Sequence, residues 1–175
     1  KGVSQKLVSV IIPVKNAEKT IEDCLELIGK SSYENYEVII IDDGSLDLTP
    51  SILNKYPYVQ IRLNQSKGPA FCRNLGVSQS KGEYLLFIDS DILIPEDTIS
   101  LIVEDFFYKP DVSAIVGMLS SHCVYKNLVS CYFNLRKHYD YLCIKDEYIS
   151  GLYGSICAIK RSEYFKSAGF DQSYK

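Results

Sequence analysis

The chain has 175 residues, a hydrophobic content of 46%, a charged content of 23% and a formal net charge of −3. That length suits one domain (1–175) with a sizeable core, and the balance of apolar and charged residues excludes general disorder. A mildly acidic chain without clustered Lys and Arg also makes a poor nucleic-acid binder, since that affinity rests on neutralising phosphates.

Short runs rich in Val and Ile alternate with helical patterns, which predicts a mainly parallel sheet with helices against it. LVSVIIPV (7–14) reads as a first buried strand, ended by Pro13 and the turn-forming Asn16. AEKTIEDCLELIGK then sets Ile21, Cys24, Leu25 and Ile28 at helical spacing, with Gly29 as a stop signal. YEVIIIDDGS (36–45) is a second strand, and Thr49 and Pro50 open a short helix. YVQIRLN alternates as a third strand, after which Gly68 and Pro69 introduce a helix through Cys72, Leu75 and Val77. GEYLLFIDSD is a fourth strand, PEDTISLIVEDFF a helix with proline in its first turn, and VSAIVGML a fifth strand.

Segment 127–144 places Leu128, Cys131, Tyr132, Leu135, Tyr139 and Leu142 on one helical face, expected to turn toward the core. LYGSICAIK is a further strand and RSEYFKSAG a helix ending at Gly169. The six cysteines (Cys24, Cys72, Cys123, Cys131, Cys143 and Cys157) form no CxxC pair and no zinc spacing with His122 or His138. Buried thiols in a reducing, cytoplasmic setting are expected. No run of about 18 apolar residues occurs, so no spanning helix is expected within the segment. The first residue is Lys1 rather than Met and the last stretch, FKSAGFDQSYK, carries no stop signal, so continuation beyond both ends is expected.

Polar residues collect where the strands end: Asn16 after the first, Asp42 and Asp43 after the second, Asp89 and Asp91 after the fourth. Ligands of open α/β sheets bind outside those carboxyl ends. Within YLLFIDSDILIPED (84–97) an apolar run meets two carboxylates with no basic residue adjacent. Buried carboxylates are costly unless paired or bound to a cation, and a metal ion is the expected partner.

The ordered segments VSVIIPVKNAEKTIEDCLELI, YEVIIIDDGSLDLTPSIL, KGPAFCRNLGVSQSKGEYLLFIDSDILIPED and SGLYGSICAIKRSEYFKSAGFD resemble family 2 nucleotide-sugar glycosyltransferases, from Val8 to about Asp171. The resemblance implies a GT-A (Rossmann-like) three-layer α/β/α sandwich with a mainly parallel central sheet. It implies a donor-binding half over 1–118 and the start of an acceptor half over 119–175. Pro13, Val14 and Asn16 match the segment lying against the nucleoside, and Asp42 and Asp43 the acidic pair at the base. Lys67, Gly68 and Arg73 match the loop and helix near the nucleotide; an Arg there suits a diphosphate or a base edge.

Asp89, Ser90 and Asp91 match the DxD element, in which Asp89 lies near the ribose and Asp91 binds the cation, Mn²⁺ or Mg²⁺, bridging two phosphates. Gly151, Tyr153, Gly154 and Ser155 match the border of the acceptor pocket. The implied reaction is transfer of a sugar, with inversion, from a nucleoside diphosphate (UDP favoured) to a hydroxyl of a saccharide or lipid-linked acceptor, in surface polysaccharide or glycolipid synthesis.

The family's general base follows the stretch matched by AGFDQSYK and is expected beyond Lys175. The alternative is a non-catalytic nucleotide-sugar-binding module without that base. A sugar nucleotidyltransferase is disfavoured because PVKNAEKT lacks the glycine-rich loop such enzymes carry after strand one. The aromatic stripe at Tyr132, Phe133, Tyr139 and Tyr141, interleaved with Arg136, Lys137 and His138, is a candidate for peripheral contact at the inner face of a membrane.

Overall fold

Val8–Val14 forms β1, and each of its seven residues is buried. A strand covered on both faces cannot alternate, which is why the sequence reads as one apolar run. The computed structural model describes residues 5–121, 128–143 and 155–173. β1 is followed by α1 (Ile21–Gly29), β2 (Tyr36–Asp42), α2 (Thr49–Leu53), β3 (Val59–Arg62), α3 (Pro69–Gln79) and β4 (Tyr84–Ile88). Then come α4 (Thr98–Tyr108), β5 (Ala114–Val116), α5 (Leu128–Leu142), β6 (Ile156–Lys160) and α6 (Arg161–Lys166).

The strands form one sheet in the order β3-β2-β1-β4-β6-β5. β1 pairs in parallel with β2 and β4, and β2 with β3, whereas β6 runs antiparallel to β4 and β5. The expected α/β/α sandwich is present. Ile21, Cys24, Leu25 and Ile28 of α1 and Ile99, Ile102, Val103 and Phe106 of α4 pack on one face, against Val10, Ile12, Ile40 and Leu86. On the other face α3 brings Cys72 and Val77, and α6 brings Tyr164, against Ile11, Ile39, Ile41, Leu85 and Phe87. Full burial of each such aliphatic side chain contributes roughly 1.5–3 kcal/mol before the entropy of ordering is set against it.

α3 lies unusually close to β1, because a Cβ on Gly76 would sit 2.4 Å from Ile11 Cγ2. That approach sets the distance between the helix and the central strand. At the opposite end of the strands Ser9, fully buried, donates to Glu37 (2.6 Å) and accepts from Gly82 N (2.7 Å).

Two helices start later than expected. α1 starts at Ile21 rather than Ala17; Thr20 N and Ile21 N both donate to Ala17 O (3.0 Å), closing a turn ahead of the helix. α4 starts at Thr98, whose amide turns back to Pro95 O. The expectation that α5 turns its apolar face to the core is corrected: Tyr132, Leu135, Tyr139 and Leu142 are all at least half exposed. Helical spacing defines a face but not what covers it. Among the described residues no helix is long and apolar enough to cross a membrane.

Candidate functional site

In the order 3-2-1-4 the chain leaves β1 toward β2 on one side and returns through β4 on the other. The crevice for a ligand opens where that order reverses, between the ends of β1 and β4. Asn16, Asp42–Asp43 and Asp89–Asp91 surround it.

The β1 and β2 ends are tied to each other. Asn16 adopts φ 49°, a left-handed conformation that asparagine tolerates well. Its amide donates to Ser45 Oγ (2.9 Å), and its Oδ1 accepts from Leu46 N (2.9 Å). Pro13 and Val14 pair in register with Ile41 and Asp42, and Val14 O accepts from Asp43 N at 2.8 Å. Asp42 is buried; its Oδ1 accepts from Ser45 N (2.9 Å), and Arg62 Nε lies 3.5 Å from its Oδ2. Oδ2 itself makes no hydrogen bond among the described residues. Arg62 also donates to Ser45 O at 3.0 Å, so it lies across this strand end.

Asp43 is spent on the neighbouring loop. Its carboxylate accepts from Ser66 Oγ (2.6 Å), Lys67 N (2.6 Å) and Gly68 N (3.0 Å). Burial by itself raises the Asp43 carboxyl, but these bonds together with Cys72 outweigh it and hold the group below its ordinary value. Gly68 leads directly into α3, so Asp43 fixes the start of that helix. The side chain of Lys67 is exposed and makes no ion pair among the described residues.

At the β4 end, Asp89 N donates to Ser155 O (2.9 Å), and Ile92 N donates back to Asp89 O (3.0 Å). That second bond closes a turn with Ser90 and Asp91 at its two central positions. Asp91 therefore stands out from the strand end, exposed, and accepts no hydrogen bond from the described residues. Asp89 is held instead: Arg73 Nη2 reaches its Oδ1 at 2.5 Å, and the guanidinium lies 5.3 Å from the centre of the Phe170 ring. Burial pushes the Asp89 carboxyl up, Arg73 opposes the rise and Asp91 adds to it.

The structure thus brings Arg73, Asp89, Ser90 and Asp91 together at one strand end and Asn16, Asp42, Asp43, Lys67 and Gly68 at the next. The partner of the Asp89 carboxylate is a cation from α3 sixteen positions earlier, which no inspection of the adjacent sequence could supply. Gly151, Tyr153, Gly154, His122 and Cys123 lie outside the described residues; Ser155 lies within them, at the start of β6. Cys24, Cys72 and Cys157 are free and buried, as expected of thiols in apolar runs, and Cys143 is exposed. A cavity of about 210 Å³ between α4 and β4, β6 and β5 contains none of the predicted site residues.

Sequence reading missed Asn74, Tyr164, Phe170, Ser66 and Arg62. The Arg-Asn pair in α3 was the available signal for the first of these; the others required the fold.

The described residues contain no group of three acidic, His or Cys side chains placed to hold a metal. A hard cation carried mainly by phosphates and water needs only one or two carboxylates, and the exposed Asp91 beside the anchored Asp89 fits that donor set.

A sheet of this order, with Asn16 at the end of β1 and acids at the ends of β2 and β4, has the GT-A arrangement. The family model "Glycosyl transferase family 2" matches residues 9–165, and the chain belongs to that family. It is 33% identical over 117 residues to the glycosyltransferase GlyG of Streptococcus pneumoniae serotype 4, covering 64% of this chain and 38% of that protein. Among solved structures, S. aureus TarS (residues 1–349) in complex with UDP-GlcNAc is 30% identical with a TM-score of 0.59, over 63% of this chain and 34% of TarS. The mannosyltransferase PcManGT of Pyrobaculum calidifontis, in complex with GDP-Man and Mn²⁺, shares the fold with a TM-score of 0.70 at 24% identity, over 94% of this chain and 47% of that one. The chain spans between 27% and 40% of the length of the curated relatives it matches.

Proposed function

We propose that this chain is the donor-binding part of an inverting, metal-assisted glycosyltransferase that takes its sugar from a nucleoside diphosphate, with UDP preferred. The observation that carries the reading is the contrast at the end of β4: Asp89 is anchored by Arg73, while Asp91 projects from the turn, exposed and with no donor on its carboxylate among the described residues. Residues 1–118 carry the donor half in this reading, and the acceptor half begins at 119.

Asp91 and Asp89 would hold the cation, Mn²⁺ or Mg²⁺. When bound, such a cation neutralises charge building on a departing diphosphate. The chain's own contribution is rigidity. β4 and its closing turn fix Asp91, Arg73 fixes Asp89, and the Asp43 bonds fix the start of α3, so little reorganisation is left for the reaction itself.

Asp42 Oδ2, which accepts no hydrogen bond among the described residues and lies 3.5 Å from Arg62 Nε, has a lone pair that could accept an imide N–H once the strand end opens, in keeping with a uracil-like base. That TarS was solved with UDP-GlcNAc supports the same nucleotide. The presence of Mn²⁺ with GDP-Man in PcManGT is in keeping with a cation in this fold. A saccharide or lipid-linked hydroxyl acceptor, a general base supplied from beyond residue 175 and action at the cytoplasmic membrane face belong to the same proposal. Peripheral membrane contact through the α5 stripe, of which Tyr132 and Tyr139 are exposed, is scored by flotation with anionic vesicles; absence of binding at low salt removes it.

The test is calorimetric titration with UDP, GDP, dTDP and CDP, with and without Mn²⁺, beside Asp91→Ala. Mn²⁺-dependent binding of UDP, lost in the variant while its melting curve stays that of the wild type, is expected. Equal binding by wild type and variant would remove Asp91 from the site.

A further inference from the structure

Asn74 uses its whole amide on the far end of the described chain. Its Nδ2 donates to Phe170 O (2.8 Å), and its Oδ1 accepts from Phe170 N (2.9 Å) and from the Tyr164 hydroxyl (2.5 Å). The partners are ninety or more positions away, so these bonds serve the tertiary arrangement and add nothing to α3 locally. They hold a turn that has little freedom of its own. Gly169 sits at φ 75°, and a Cβ there would lie 2.8 Å from the Tyr164 hydroxyl and 3.0 Å from Asn74 Oδ1.

The consequence of the clamp is the position of the Phe170 ring. One edge meets Phe87 of β4 in a T-shaped contact (4.9 Å, 81°), and Arg73, the residue next to Asn74, lies 5.3 Å from its centre. A guanidinium held against an aromatic ring keeps its planar fork in one orientation. Here the fork meets Asp89 at 2.5 Å. A continuous chain of contacts therefore runs from Asn74 through Phe170 and Arg73 to the DxD turn.

We propose that Asn74 is a positioning residue of the donor site: by fastening the Phe170 turn to α3 it seats the aromatic ring on Arg73 and so fixes the Arg73–Asp89 pair beside Asp91. The proposal rests on the donor-site reading above. It also gives the segment after α6 a defined register on the nucleotide end of the sheet. The turn is held by donor-side residues, so a change at either place is felt at the other.

The experiment compares wild type, Asn74→Ala, Asn74→Asp and Phe170→Leu in the full-length protein, each first shown to melt cooperatively. Two quantities are read: the ¹⁵N–¹H signals of the Arg73 guanidinium, which pairing slows and disperses, and the affinity for UDP with Mn²⁺. In Asn74→Ala the Arg73 signals are expected to collapse and the affinity to fall roughly tenfold, the scale of one lost positioning bond. Asn74→Asp keeps both acceptor bonds and is expected to fall between. Phe170→Leu keeps apolar volume but removes the ring, and is expected to match Asn74→Ala; it carries the test if that variant does not fold.

Folded variants with wild-type Arg73 signals and wild-type UDP affinity overturn the clamp while leaving the donor site standing. A wild type that binds none of UDP, GDP, dTDP or CDP with Mn²⁺ overturns the donor-site reading, and the proposal with it. The two failures are told apart by the wild type alone.

Discussion

Asp43→Asn is the most informative single perturbation of the strand-end network, because it changes charge and donor pattern without changing size. In the native protein Oδ1 accepts from Lys67 N, and Oδ2 accepts from Gly68 N and Ser66 Oγ. An amide can keep one of these sets. If its oxygen stays on Lys67 N, its NH₂ faces the Gly68 N–H; the Ser66 hydroxyl can rotate to accept, but the Gly68 amide cannot. The least cost is one backbone donor left facing another, about 1–3 kcal/mol. The lost charge adds to it, because hydrogen bonds to an ionised acceptor are about twice as strong as neutral ones.

Asp43→Ala removes all three acceptor contacts and is expected to cost more, about 3–4 kcal/mol after relaxation of the exposed loop. The assay is urea unfolding across pH, with hydrogen exchange at the Lys67 and Gly68 amides. The folded carboxyl lies below its ordinary value, so its stabilising contribution is complete above about pH 4 and is lost as pH falls through the lowered folded value. Wild type and Asp43→Asn are therefore expected to converge toward acid pH and to separate above it. Variants that unfold within about 0.5 kcal/mol of wild type at neutral pH, with unchanged exchange at Lys67 and Gly68, would refute the reasoning.

Removing Arg73 acts in the opposite sense on Asp89. Burial already raises that carboxyl and Arg73 opposes the rise, so Arg73→Ala raises it further; the variant is expected to lose stability relative to wild type as pH climbs above about 4, read by the same unfolding series. Gly76→Ala forces a methyl to within 2.4 Å of Ile11 Cγ2, and is expected to cost about 1–3 kcal/mol, or roughly 2–8 °C in melting temperature, through overpacking between α3 and β1. A melting curve identical to wild type would show that the helix can shift outward at no cost.

The alternating order of strands and helices was legible because each buried strand is a short Val- and Ile-rich run and each helix carries its apolar residues at a helical period. Direction and coverage were not. The ICAIK run gives no sign that β6 lies antiparallel between β4 and β5, because a fully buried strand looks the same in either direction. The α5 face was misjudged for a related reason. Tyr132, Leu135, Tyr139 and Leu142 have the right spacing for a core stripe, yet spacing contains no information about what lies opposite. The start of α1 was missed because a turn closed on Ala17 O by Thr20 N and Ile21 N precedes the helix, and apolar spacing does not distinguish such a turn from the helix itself.

The acids at the strand ends show where reading a site from sequence reaches its physical limit. Asp43, Asp89 and Asp91 are the same residue type in similar contexts, and the sequence marks all three as candidates. The fold separates them by which donors it brings within reach. The 66–68 loop saturates Asp43, Arg73 neutralises Asp89, and the turn closed by Ile92 N leaves Asp91 exposed, without a donor among the described residues. A carboxylate already filled by three donors has little left to offer a ligand, whereas an exposed one at a fixed turn position keeps its lone pairs. The distinction depends on groups 16 to 25 positions away in the chain, and so it becomes visible only once the sheet is assembled.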